Sequence, residues 1–165
     1  MIQYRTPLKR SRELSAFSRE HHEGLLFVWK IRQGIRNLVS PRRIAAYCQW
    51  FCKKHLEKHM QQEEAMLTSI LSNEHPMMQK MFDEHEAIRV KIASLEDYLS
   101  NKHLARLADV VEYHIRFEER ELFQLIEQIA TSDQLRSIEE QLRTGNEYEE
   151  QWQDNFWSYR STTLL

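Results

Sequence analysis

The chain has 165 residues, with 25 acidic and 23 basic side chains and a formal net charge of −2. That length suits one domain around a single core. The near-balanced charge gives no electrostatic case for nucleic acid, and no run of about 18 apolar residues is present to span a membrane.

Gly and Pro number three each, too few to punctuate many turns, so long helices are expected. The opening stretch MIQYRTPLKRSREL has no apolar segment of the kind a secretion signal needs, so a cytoplasmic location is expected. The first helix is predicted to start near Ser11 or Ser15 and to run to about Leu38. Leu14, Phe17, Leu25, Val28, Ile35 and Leu38 recur there at the spacing of one helical face. Ser40-Pro41 then reads as a helix start, because serine caps well and proline is tolerated at the first helical position. The second helix carries Ile44, Cys48, Cys52, Leu56, Leu67 and Ile70 and ends around Ser72-Asn73. Its two cysteines lie one helical turn apart and read as small buried thiols in a reducing compartment.

Pro76 opens the third helix, lined by Met78, Phe82, Ile88, Ile92, Leu95 and Leu99. After Ser100-Asn101 the fourth carries Leu104, Leu107, Val111, Leu122, Leu125 and Ile129. Four amphipathic helices with short connections predict an all-α, antiparallel up-down-up-down four-helix bundle. The chain is read as one domain over residues 1–165, with the bundle at about 11–130 and a short C-terminal helical extension over 131–165. That extension divides at Gly145. Residues 132–143 predict a short polar helix. EYEEQWQDNFWSYR then sets Tyr148, Trp152, Phe156 and Tyr159 at helical spacing. This aromatic stripe is read as packing on the bundle exterior; the other reading is a lid or a contact between two copies of the chain.

The eight histidines are about twice an ordinary share, and their placement is patterned. HMQQEEAML (His59–Leu67) and HIRFEEREL (His114–Leu122) both read HxxxEExxL. Residues four apart share a helical face, so His59 projects with Glu63, and His114 with Glu118. Both pairs fall within apolar stripes. His21 lies between Phe17 and Leu25, and His85 between Phe82 and Ile88, so each of the four helices sends one imidazole inward. A lone histidine on an apolar face is usually a hydrogen-bonded core residue, and a single HxxxE is usually a surface pair. Two carboxylates and four imidazoles buried together are different, because unpaired buried charge costs several kcal/mol or more. A pair of metal ions would compensate it, and His with Glu is a usual ligand set for non-haem iron, manganese or zinc.

The other histidines have secondary places. His22 points about 100° from His21 and becomes the ligand if the first helix is rotated. His55 lies one turn before His59 and reads as a further ligand, as a hydrogen-bond partner behind one, or as a partly buried structural residue. His75 and His103 sit at helix starts, where solvent reaches them. Glu64 and Glu119 read as solvated helix flanks.

The segments SREHHEGLL, HMQQEE, DEHEAI and HIRFEE together resemble the hemerythrin-like, or HHE cation-binding, domains, over roughly Leu14 to Ile129. The resemblance implies a four-helix bundle with a non-haem di-iron centre bridged by oxygen and carboxylates. It assigns His21, His59, Glu63, His85, His114 and Glu118 as metal ligands, with Glu63 and Glu118 bridging. Two iron ions are the expected cofactor, with zinc or manganese as substitutes in a preparation.

The oxygen carriers of that family have a second histidine on the third helix, where this chain has Met81 and Arg89 one turn either side of His85. They also place an Asp five residues after the last histidine, where this chain has Glu119. Both departures resemble the broader bacterial HHE group. The expected function is therefore binding or sensing of iron, oxygen or nitric oxide. A di-iron oxidase or peroxidase, or a structural bundle with adventitious zinc, is the alternative. No nucleophile–base arrangement or phosphate loop competes with the histidine pattern.

Overall fold

The computed structural model describes residues 10–143 and 151–158. Among them all regular structure is helical, with no strand, and no helix is long and apolar enough to cross a membrane.

Helix α1 spans Ser15–Arg36 and buries Phe17, His21, Gly24, Phe27, Ile31 and Gly34 along one face. It stops two residues short of the sequence expectation. Leu38 N–H bonds to Ile35 O at 3.1 Å and Val39 N–H to Gly34 O at 3.0 Å, the paired bonds of a Schellman turn. The residue at the turn is Leu38, at φ 55°. A glycine usually stands there, because a Cβ crowds the following carbonyl in the left-handed region. Leu38 is 88% exposed, so it does not belong to the apolar stripe.

Helix α2 (Pro41–Phe51) starts with proline at its first turn as expected, although the Ser40 side chain makes no capping bond. A π-helical turn, Cys52–Leu56, leads directly into α3 (Glu57–Leu67). Helix α4 spans Pro76–Ala93; His75 caps it, its side chain accepting from the Met77 N–H. Ser100 caps α5 (Asn101–Phe117) by accepting from the His103 N–H. A second π-helical turn, Glu118–Leu122, joins α5 to α6 (Phe123–Ile129), and α7 covers Ser132–Arg143. Each π turn inserts one residue into an otherwise α-helical run, which shifts the face presented beyond it.

The apolar interior is two blocks. One gathers Phe27, Ile31, Ile44, Leu104, Leu107 and Val111. The other gathers Leu14, Phe17, Leu67, Met78, Leu122 and Phe123. The middle turns of the long helices lie between them. Cys48 and Cys52 are buried free thiols, and burial pushes both away from thiolate, Cys52 to about 11.

Residues 151–158 are not helical. Trp152, Phe156 and Trp157 nonetheless pack on Tyr47 of the same chain, with ring centroids 5.4–5.6 Å away. Gly145, Tyr148 and Tyr159 lie outside the described residues.

Leu38→Gly is expected to stabilise the chain by about 0.5–1 kcal/mol, because relief of left-handed strain exceeds the added unfolded-state entropy. Denaturant midpoints at constant slope measure it. A lower midpoint would show that the exposed leucine makes a contact worth more than the strain.

Candidate metal centre

Six ionisable side chains are buried between the two apolar blocks: His21, His59, Glu63, His85, His114 and Glu118. Glu63 comes from α3 and Glu118 from the first residue of the second π turn, and neither has any exposed surface. The four imidazoles come from α1, α3, α4 and α5 and direct Nε2 toward this carboxylate pair. His21 Nε2 is 3.0 Å from Glu118 and 3.3 Å from Glu63; His59 Nε2 is 3.3 Å from Glu63. His85 Nε2 stands 3.4 Å from Glu63 and 3.5 Å from Glu118, and His114 Nε2 3.2 Å from Glu118.

These approaches are close, yet the geometry is not that of hydrogen bonds. All four oxygens of Glu63 and Glu118, with Nε2 of His21 and His59, lack a hydrogen-bond partner. Nε2 of His85 and of His114 face each other at 3.1 Å. Apart from that one His85–His114 pair, the ligand atoms converge on shared points instead of pairing with one another. They form two overlapping groups, His21–His59–Glu63–Glu118 and Glu63–His85–His114–Glu118, each with its ligand atoms within 4.8 Å. Leaving so many buried polar atoms unpartnered is expensive, and a cation in each group removes that expense. The donor set fits a borderline transition metal, and both carboxylates are shared between the groups.

The outer nitrogens show how the imidazoles are aimed. His59 Nδ1 bonds Glu20 of α1 at 2.6 Å, and His85 Nδ1 bonds Glu64 of α3 at 2.8 Å. His114 Nδ1 bonds Glu84 of α4 at 3.0 Å, and His21 Nδ1 bonds Glu119 of the second π turn at 2.7 Å. Each stretch of helix thus holds the histidine of its neighbour, and the four pairs close into a ring. An ionised carboxylate can only accept, so Nδ1 carries a proton, and once Nε2 gives up its own proton to a metal its lone pair would face inward. Arg10 and Ser18 anchor Glu119 at 2.8 and 2.6 Å, and Arg89 anchors Glu64 at 3.0 Å.

At His21, His85, His114, Glu63, Glu118 and Glu119 burial opposes charge, and the opposite charges outweigh it. Desolvation lowers His85, but Glu118 and Glu63 bring it up to about 10; His21 and His114 are raised in the same way. Desolvation raises Glu118, but His114, His21 and His85 hold it well below the usual carboxylate range. Glu119 is held at about 2 despite burial, chiefly by His21 and Ser18. In the metal-free protein the carboxylates of the layer are therefore neutralised by the imidazoliums of His21, His85 and His114.

The family model of the hemerythrin HHE cation binding domain matches residues 11–126. The chain belongs to this family. No curated protein and no solved structure matches it. The stretch matched as an HHE domain contains all six buried residues and all four outer glutamates.

The expectation that Glu64 and Glu119 are solvated flanks is corrected by the structure. Their side chains are 26% and 21% exposed, and each holds an inward histidine. The doubled glutamate in both HxxxEE segments was the available signal, as were the Glu-His dipeptides at Glu20-His21 and Glu84-His85. Helical facing alone could not show it, because the partner sits on a neighbouring helix. Neither group includes His22, which is exposed, or His55, whose ring lies 4.9 Å from Phe51 and 5.3 Å from Trp50. Met81 is wholly buried among the apolar residues, and Arg89 is occupied by Glu57 and Glu64.

Glu64→Ala and Glu119→Ala are expected to weaken metal binding about 10–100-fold. Glu20→Ala should do less, since Glu20 is 45% exposed, and exposed Glu121→Ala should do nothing. Competition with a chelator of known affinity measures this. Equal affinities in all four variants would remove any aiming role from the ring.

Proposed function

We propose that this HHE domain is an antiparallel four-helix bundle holding a non-haem di-iron centre that binds or senses a small ligand such as dioxygen or nitric oxide. The carrying observation is the pair of overlapping His₂Glu₂ groups around fully buried Glu63 and Glu118. The topology is supported by the composition of the two apolar blocks. The start of α1 meets the end of α3 and the start of α4 in one, and the end of α1 meets the start of α2 and of α5 in the other. His21 and His59 would hold one ion and His85 and His114 the other, with Glu63 and Glu118 between them. Iron bound there supplies a change of oxidation state and exchangeable coordination positions. The chain's own residues would fix the imidazole tautomers through the outer glutamates, and the flanking apolar blocks would screen the layer above and below, with His21, His59 and His114 facing a cavity at its side.

Each group offers four protein side chains, and neither Met81 nor Arg89 adds a fifth. A thioether is a poor ligand for ferric iron, and a guanidinium is none. That favours irreversible oxidation in air over reversible oxygen carriage. It also keeps a di-iron oxidase or peroxidase as the second reading, which the cavity described below favours.

Protein purified from iron-replete cells is expected to carry about two iron ions per chain and to absorb in the near ultraviolet. Glu63→Ala or Glu118→Ala should lower metal content and thermal stability together, because metal bound only to the folded state adds folding free energy. Less than about half an ion of any transition metal after anaerobic ferrous loading would reject the centre.

Loading also has a proton signature. His85, titrating at about 10, is protonated at neutral pH in the metal-free chain and must lose that proton to bind metal. Loading in weakly buffered solution at pH 7 should release protons, and affinity should rise with pH up to about pH 10. Metal uptake without proton release would place the ions away from His85.

A further inference from the structure

A cavity of about 540 Å³ opens beside the buried layer, and its floor includes His21, His59 and His114. A diatomic gas needs far less, since one water occupies about 30 Å³ in the liquid. The volume falls in the range of small-molecule sites, roughly 300–1,000 Å³. Two parts of its wall are aromatic: Tyr47, Trp50 and Phe51 on α2, and Trp152 and Trp157 from the segment after α7; charged and amide side chains complete the lining.

That second wall is firmly seated. Phe156 lies over Gly34, where a Cβ would stand 2.7 Å from the Phe156 ring, so the notch on α1 exists only because residue 34 is glycine. Arg43 binds both Asp154 oxygens at 2.6 and 3.0 Å, and the Asn37 amide donates to Trp157 O at 3.2 Å. Trp152 and Trp157 are thus presented to the cavity on an anchored backbone.

Lys30, Lys54 and Lys58 all line the cavity with Glu20 and Glu23, and Lys30 is the lysine seated against the aromatic rings. Lys30 Nζ lies 4.2 Å from the Trp157 ring centroid and 5.5 Å from that of Tyr47. Burial lowers its pKa more than nearby Glu23 raises it, so the ammonium is partly dehydrated without full compensation. The flat aromatic part of the wall suits a planar ring, and a partly dehydrated ammonium beside it suits an anion.

We propose that this cavity binds a small aromatic carboxylate, its ring among the indoles and Tyr47 and its carboxylate at Lys30. The ligand's role as a substrate of the centre rests on the metal reading above; its binding rests on the walls and Lys30 alone.

Benzoate is the probe, titrated into the full chain in metal-free and zinc-loaded forms, with indole ¹H–¹⁵N resonances as the readout. Trp50, Trp152 and Trp157 should shift saturably. Exposed Trp29, which does not line the cavity, should not. Benzyl alcohol should bind at least about tenfold more weakly, having no charge for Lys30, and acetate should leave the indoles unmoved. Lys30→Met should bring benzoate affinity down to that of benzyl alcohol. The proposal is overturned by equal shifts at Trp29, by equal affinity for benzyl alcohol and benzoate, or by no saturation below about 10 mM. The benzoate-to-benzyl-alcohol ratio on the unaltered chain decides even if Lys30→Met does not fold. Benzoate binding in a chain that takes up no metal would uphold this proposal and reject the centre. Metal uptake without benzoate binding would do the reverse.

Discussion

Two carboxylates with no exposed surface, Glu63 and Glu118, sit among four imidazoles in the middle of a small helical domain. The rest of the structure can be understood as what that placement demands. Buried carboxylates must be neutralised. In the metal-free state imidazolium charge does so, and a pair of cations would do so more completely, because they also engage the oxygens that hydrogen bonds leave unmet. The apolar interior cannot be continuous through such a layer, so it divides into two blocks that clamp the layer from either side. Phe17 edges onto His59 at 5.8 Å and Phe123 stacks on His21 at 5.3 Å, so the block that holds these two phenylalanines also packs the imidazole rings in place.

The layer was legible in the sequence because its chemistry obeys helical spacing. His and Glu four apart face the same way, and the apolar residues around each pair show which way that is. Features that depend on two segments were less legible. Glu64 and Glu119 point off their own helical face, and only the neighbouring helix shows that they hold His85 and His21. The π turns also escape periodicity, since one inserted residue among the polar residues Lys53, Lys54 and His55 leaves the apolar stripe with no obvious break. Leu38 fits the stripe of the first helix by spacing, yet the chain turns there ahead of Pro41 and leaves the side chain exposed. Trp152 and Phe156 are four apart and suggested a helix. Their spacing instead suits an irregular segment whose rings reach one tyrosine.

The ring of outer glutamates is not uniform, and its differences follow the cavity. Glu119 is tied to Arg10, which also holds Glu127 and the Glu119 carbonyl. Glu64 is tied to Arg89, itself locked onto Glu57. Glu84 has Lys80 at 3.7 Å. Glu20, which aims His59, is the most exposed of the four and lines the cavity together with His59. His85 is wholly buried and does not reach the cavity. Arginine networks therefore brace His85 and His21, and the weakest brace is at His59, beside the cavity. Local compliance concentrates where backbone and side chains have fewest buried partners. The asymmetry runs through the cavity side as well: Glu64, locked by Arg89, holds His85 away from the cavity, while of the imidazoles that reach it His21 is held by the Arg10-tied Glu119 and His59 by the more exposed Glu20.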